Sequence, residues 1–268
     1  MVTMKPAFVA LWVVQAIFTA PPASAQAARE EFEAFAERAR VVKSRELSGG
    51  TTRPVRLTLS DGTTTRDAVF QGVDEKRTTF ESQRGPTEIN FVDSWRYNVA
   101  AYRIASLVGL ASMTPVTIEY RWRGRVGALS QWLDSLMDER TRLKKQVKPP
   151  DVLAWNQDMY RMRVFTELVS DTDRNLGNVL VSPEWRVIML DFTRAFRLHE
   201  TIRPKEITRC DRRLLAALEG LTLDRLKEAT GDYLTGFEAE AVMKRRDLLV
   251  AHVKQLVATQ GEDKVLYE

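Results

Sequence analysis

Cysteine and histidine are almost missing from this chain of 268 residues: there is one cysteine, Cys210, and there are two histidines, His199 and His252. A single cysteine excludes an intramolecular disulfide. With two distant histidines it also excludes a zinc-type cluster of nitrogen and sulfur ligands. An excess of one charge is lacking too. The 40 Lys and Arg residues nearly balance 36 Asp and Glu, for a formal net charge of +4, and the two signs are mixed along the chain. No basic patch interleaved with aromatics marks a nucleic-acid surface, so no nucleic-acid partner is expected. Beyond the first 25 residues, no stretch is apolar enough to cross a bilayer.

What is present begins with a three-part leader. Lys5 lies in a short n-region, Ala7–Ala20 is apolar except for Gln15 and Thr19, and Pro21-Pro22 precedes Ala23-Ser24-Ala25. That layout reads as a secretory signal cleaved after Ala25, which predicts a periplasmic or secreted protein with no stable membrane span once the leader is removed. No cysteine follows the apolar run, which excludes a bacterial lipoprotein anchor.

Hydrophobic periodicity predicts an amphipathic helix over Ala28–Leu47, from Phe32, Phe35, Ala39 and Val42, closed by Ser48-Gly49-Gly50. Arg53–Ser60 and Thr63–Gln71 read as a hairpin about Asp61-Gly62, with a third strand at Thr78–Ser82. A helix follows from a cap at Asp93 or Ser94 to Val108. Pro115–Trp122 and Arg125–Trp132 read as strands and Leu133–Lys145 as a charged surface helix. A buried helix starts at Asp151 and ends near Ser170, its stripe running through Trp155, Met159, Met162, Phe165 and Val169. Val179–Val181 and Val187–Leu190 form a short hairpin. The chain reads as helical from Arg203, with a last long helix over Glu238–Thr259. The fold class is therefore α+β, with two lobes: an N-terminal helix (26–50), a strand-rich small lobe with one central helix (51–132) and a helical large lobe (133–268) carrying the hairpin. A monomer is expected.

The segment that carries chemistry is Asp171-Thr-Asp173-Arg-Asn175-Leu-Gly177-Asn178, between the buried helix and the hairpin that ends in Leu190-Asp191-Phe192. Asp173 stands five positions before Asn178, which stands thirteen before Asp191. Kinase catalytic loops space a base aspartate and a metal-binding asparagine in this way. Hard oxygen ligands such as an Asp carboxylate and an Asn amide suit Mg²⁺. Phosphoryl transfer asks the protein mainly to hold the metal–nucleotide complex and to place an acceptor hydroxyl in line. A calcium loop is the rival reading, since Asp171, Asp173 and Asn175 fit positions 1, 3 and 5 of an EF-hand. It fails at Leu176, where Gly is required, and at Ser182, where Glu is required.

The Asp-Arg-x-x-x-Asn loop, the apolar strand and Leu190-Asp191-Phe192 together resemble atypical kinases: phosphoinositide 3/4-kinase-like, HipA-type and secreted Fam-type. Asn98–Leu110 with Thr114–Thr117 resembles their small-lobe helix and strand, and Gly127–Trp132 resembles the approach to their hinge, so the likeness covers about residues 53–200. It implies a two-lobed protein-kinase-like fold and transfer of a nucleotide phosphoryl group to a hydroxyl acceptor, whether protein, glycan or small molecule. ATP and Mg²⁺ are the implied cofactors, with Mn²⁺ as an alternative metal. Asp173 is the implied catalytic residue, and Asn178 and Asp191 are the implied metal ligands. With the Ala- and Arg-rich composition, the likeness also points to a bacterial source.

The departures are as informative. Gln71 stands where the resemblance places a phosphate-binding lysine, and Asn98 stands where it places that lysine's glutamate. A Gln71–Asn98 hydrogen bond can replace the link but not the positive charge. Lys76 or Arg77, with Glu88 as partner, is the candidate substitute, so Gln71, Lys76 and Arg77 are the expected nucleotide-binding positions. Asn175 replaces the loop histidine and Thr193 the glycine of Asp-Phe-Gly. Arg174 is expected to brace the loop through Asp171, Arg194 and Arg197 to belong to a solvated face, with neutralisation of phosphate as the alternative, and Cys210 to pack as a small hydrophobe. The alternative to an active kinase is a pseudokinase that binds a nucleotide or a partner.

Overall fold

The computed structural model describes residues 23–47, 53–81 and 87–268. Most of the expected leader, the Ser48-Gly49-Gly50 stop and Ser82 lie outside the described residues. Helix α1 (Ala23–Arg38) is followed by strand β1 (Arg40–Glu46), so the expected single helix over 28–47 is in fact a helix and a strand. The β-branched pair Val41-Val42 outweighs the helical reading of the charged residues around it. Strand β1 is the edge of a sheet, with Lys43 and Arg45 exposed and an irregularity between Val41 and Lys43, both devices that blunt an edge.

The small-lobe sheet also contains β2 (Val55–Ser60) and β3 (Thr65–Gln71). The hairpin of β4 (Asp74–Phe80) and β5 (Glu88–Ser94) stands apart as its own two-stranded sheet, followed by helix α2 (Arg96–Leu107). Strands β6 (Thr117–Trp122) and β7 (Arg125–Gln131) complete an antiparallel sheet of order β1-β2-β3-β7-β6. Phe32 and Phe35 of α1 pack with Leu57, Leu59, Phe70, Ile118 and Leu129 as its core. At Gly127 the strands approach so closely that a Cβ would sit 2.3 Å from the Gln71 carbonyl oxygen, so a side chain there would push β3 and β7 apart.

The chain crosses to the large lobe after β7. Strand β8 (Met137–Asp138) and helix α3 (Glu139–Lys144) replace the expected long helix over 133–145. The Asp138 carboxylate accepts from the Thr141 N–H and caps α3. Helix α4 (Val152–Leu168) is capped by Asp151, and the hairpin of β9 (Val179–Val181) and β10 (Val187–Met189) pairs onto β8. Strand β11 (Cys210–Asp211), α5 (Arg212–Glu219), α6 (Leu223–Thr230), α7 (Gly236–Gln260), α8 (Glu262–Val265) and β12 (Leu266–Tyr267) finish the lobe. Strands β11 and β12 pair in parallel inside the region read as helices broken near Gly220 and Gly231.

Polar side chains buried in the large lobe tie these elements together. Asp158 of α4, fully buried, accepts from Arg161, from two nitrogens of Arg186 and from the Val187 N–H, and Arg161 continues to Asp211. Arg245 of α7, also fully buried, donates to the carbonyls of Leu168, Arg197 and His199, and so ties α7 to both ends of the 168–199 segment. Burial lowers its pKa to about 10, which leaves it charged at neutral pH.

Helix α2 belongs to both lobes. It packs on β6 and β7 and also on α6. Tyr97 bonds Glu238 of α7, and Arg103 donates to the Ala229 carbonyl at 2.9 Å. At the other end of the lobe, the Tyr102 hydroxyl donates to the carbonyl of Ala25 in α1.

Cys210 is fully buried, and burial pushes its thiol up to about 12. The thiolate is the reactive form, so alkylation at pH 8 is expected to be at least a hundredfold slower in the native protein than in denaturant. Equal labelling rates measured by mass spectrometry would contradict that placement.

Candidate active site

The loop after α4 is held by its own residues. Ser170 (φ +47°) and Asp191 (φ +55°) adopt the left-handed region that non-glycine residues rarely enter, one at each end of the functional segment. Strain of this kind persists only where surrounding contacts over-determine it. Those contacts centre on Arg174. It pairs with the buried Asp171 carboxylate at 2.5 Å and donates to the carbonyls of Asn178 and Leu190, and it lies over the Phe192 ring at 4.3 Å. This is the bracing expected of it. Phe192 is buried edge-on against Phe165 of α4, with ring centroids 5.7 Å apart.

On this frame the three acidic and amide side chains converge. Asp173, Asn178 and Asp191 line one cleft of about 1100 Å³ between the lobes. The Asn178 amide nitrogen donates to the Asp173 carbonyl at 3.1 Å, which leaves the amide oxygen for a cation. Oδ1 of Asp191 accepts from the Thr193 hydroxyl at 3.0 Å, which leaves Oδ2. A carboxylate and an amide oxygen form a hard donor set that fits Mg²⁺ or Mn²⁺ with phosphate oxygens completing the shell. Among the described residues no three His, Cys, Asp or Glu side chains form a metal cluster on their own. Asp173 is half exposed to the cleft, with Arg194 at 3.8 Å from its Oδ2.

A smaller cavity of about 370 Å³ adjoins this cleft. Val69, Trp132, Leu133, Leu180 and Met189 supply its apolar walls, and Gln71, Asn178 and Asp191 also line it. The two cavities thus share Asn178 and Asp191.

Gln71 and Asn98 meet as expected. The Asn98 amide nitrogen donates to Gln71 Oε1 at 2.8 Å, and Asn98 Oδ1 accepts from the Phe192 N–H at 2.7 Å. Gln71 Nε2 lies 3.5 Å from Asp191 Oδ1, at the outer limit of a hydrogen bond. A neutral amide pair therefore joins β3, α2 and the Asp191-Phe192 step.

The cations separate. Arg77 lines the larger cleft, paired with Glu75 at 2.8 Å, whereas Lys76 lines neither cavity. Alternation along β4 accounts for this, since Glu75 and Arg77 share one face and Lys76 takes the other. The Glu88 side chain, its expected partner, lies outside the described residues. Arg125 of β7, which the sequence reading did not select, lines the cleft and donates to the Gly72 carbonyl at 3.3 Å. Arg194 lines the cleft too, over the Phe91 ring at 5.1 Å, with Arg197 over the same ring at 5.5 Å, so neither belongs to a plain solvated face.

The reading also missed β5. Ile89 and Phe91 alternate with polar neighbours there, a period-2 signal that the expected helix cap hid. Asp93 is buried in the cleft wall and does not cap α2, which has no side-chain cap, although Ser94 Oγ accepts from the Arg96 N–H at 3.3 Å.

No family model matches the sequence, and no curated protein matches it either. Solved structures do. The chain superposes on the Golgi casein kinase with a TM-score of 0.62 at 12% identity, covering 90% of this chain and 79% of that one. The crystal structure of the Golgi casein kinase with Mn/ADP bound gives 0.61 at 13% identity with the same coverage. At such identity the likeness shows the fold. The strand-rich lobe, the single helix α2 and the helical lobe with its loop and hairpin form a two-lobed protein-kinase-like fold.

Replacing Asn98 by Leu keeps the volume but leaves the Phe192 N–H and Gln71 Oε1 without partners. Each orphaned group costs about 1–3 kcal/mol. Urea unfolding is expected to show the loss, and a variant as stable as the parent would contradict the linking role of Asn98.

Proposed function

We propose that this chain is a kinase-like phosphotransferase that binds a metal–nucleotide complex between its lobes and directs the terminal phosphoryl group to a hydroxyl acceptor. The observation that carries the reading is the convergence of Asp173, Asn178 and Asp191 on one cleft that adjoins an apolar slot. The slot between Val69, Trp132, Leu180 and Met189 suits the faces of a purine ring. Asp191 and the Asn178 amide oxygen would hold Mg²⁺ or Mn²⁺ at the point where slot and cleft meet. Such a cation, when bound, neutralises charge on the phosphate oxygens. Asp173, open to the larger cleft, would orient an acceptor hydroxyl and accept its proton. Arg77 and Arg125 bring positive charge to the small-lobe side, where Gln71 has none. Export belongs to the same reading and rests on the first 25 residues. Helix α1 spans Ala23–Arg38, so removal of the leader after Ala25 would take the Ala25 carbonyl from the Tyr102 hydroxyl but leave Phe32 and Phe35 of its core face in place.

One observation favours a second reading, a nucleotide-binding module without turnover. The Gln71–Asn98 pair preserves the link between β3 and α2 while supplying no charge.

Calorimetric titration with Mg·ATP, Mg·GTP and Mn·ADP tests the site. Binding of at least one complex is expected, and Asp191→Ala should weaken it at least tenfold. Absence of binding by all three would contradict the proposal. Phosphotransfer lost in Asp173→Ala would exclude the module reading, and tight binding with no transfer to any hydroxyl acceptor would favour it.

A further inference from the structure

The β4–β5 hairpin delivers to the cleft a carboxylate that the loop spacing gives no hint of. Asp93 lies near the end of β5, opposite Glu75 in the hairpin register. Its side chain lines the larger cleft, the residue is 8% exposed, and Oδ1 has no hydrogen-bond partner. Burial raises the carboxyl's pKa above its ordinary value, and the charge of Asp191 adds to the effect. A desolvated carboxylate with an orphaned oxygen is unfavourable unless something positive completes it.

The neighbouring groups meet that demand only in part, since Oδ1 keeps no hydrogen-bond partner. The Thr193 hydroxyl lies 3.0 Å from Asp191 Oδ1 and its hydrogen bonding also holds the pKa of the Asp93 carboxyl down, so one proton is shared between two carboxylates. The charge of Arg194 also acts on Asp93, and its guanidinium lies 3.8 Å from Asp173 Oδ2 and over the Phe91 ring. The position itself is fixed, because the Ser94 N–H donates to the Thr193 carbonyl at 2.8 Å and pins the end of β5 to the segment after Asp191. Two carboxylates from different lobes thus stand about one hydroxyl group, and one of them has a buried oxygen without a partner.

We propose that Asp93 is a third protein ligand of the divalent cation held by Asp191 and Asn178, so that the cation ties the β4–β5 hairpin to the loop of the large lobe. The inference rests on the metal site of the proposed function. Two carboxylates and an amide, completed by water or phosphate oxygens, lie within the usual donor sets of Mg²⁺ and Mn²⁺. A second carboxylate also gives the site affinity for metal before nucleotide arrives, where β3 places the neutral Gln71 beside Asp191.

The test is a Mn²⁺ titration of the full chain, followed by the electron paramagnetic resonance signal of free Mn²⁺, without and with ADP. The parent is expected to bind Mn²⁺ without ADP, and Asp93→Asn to weaken that binding at least tenfold. Asp93→Asn should also melt at a higher temperature than the parent when no metal is present, because a buried like charge is gone. Asp93→Cys offers a softer ligand and should shift the Cd²⁺/Mn²⁺ affinity ratio at least tenfold toward Cd²⁺. Parent-like Mn²⁺ affinity in Asp93→Asn, with binding lost in Asp191→Asn, would overturn the role of Asp93 and leave the metal site standing. An unchanged Cd²⁺/Mn²⁺ ratio in Asp93→Cys would overturn it as well. No Mn²⁺ bound by the parent, with or without ADP, would overturn both the inference and the site beneath it.

Discussion

The structure depends on one side chain, the amide of Asn98. It donates to Gln71 at the end of β3 and accepts from the backbone N–H of Phe192, beside the strained Asp191. Three elements of different sequence origin meet at a single buried group. An ion pair at this point would have to overcome the cost of removing two charges from water. Two amides make the same link with a smaller desolvation cost, and each keeps a donor and an acceptor for further use. The consequence for chemistry is equally direct. Strand β3 places a neutral Gln71 beside Asp191, so positive charge at the cleft comes from other elements. The arginines of β4, β7 and the segment after Asp191 are placed to supply it.

Helix α2 extends this constraint through the molecule. One face packs on the small-lobe sheet, and its ends reach α6 and α7 through Arg103 and Tyr97. The large lobe is fastened in turn by buried charges with several partners, Asp158 and Arg245. Both are costly to bury and are offset by the bonds they make, which favours a single arrangement of the segment between Leu168 and His199. Rigid support beneath a strained loop is what a site needs if its carboxylates are to stay in place without a cation.

Much of the site was legible in the sequence. The spacing of Asp173, Asn178 and Asp191, the buried helix before them and the apolar hairpin between them are local features, and local periodicity and turn residues report them well. The amide pair was legible too, because Gln71 and Asn98 replace both members of an expected pair. What stayed hidden depends on distant partners. The β11–β12 pair joins residues 210–211 to 266–267 in parallel, and nothing local marks either strand. Strand β8 is two residues long and exists because β9 pairs with it. Charged edge strand β1 imitates a helix in composition. The β4–β5 hairpin was half seen, and reading Asp93 as a helix cap concealed both the second strand and the carboxylate it carries.

The central claim is that the junction of slot and cleft, at Asp191 and Asn178, holds a divalent cation against nucleotide phosphates. Crystals of the full chain grown with Mn²⁺ and ADP, with diffraction collected at the manganese absorption edge, measure this directly. The account predicts an anomalous peak within coordination distance of Asp191 and Asn178, with the adenine ring between Val69 and Met189. Nucleotide density elsewhere, or an anomalous peak remote from Asp191, would contradict it.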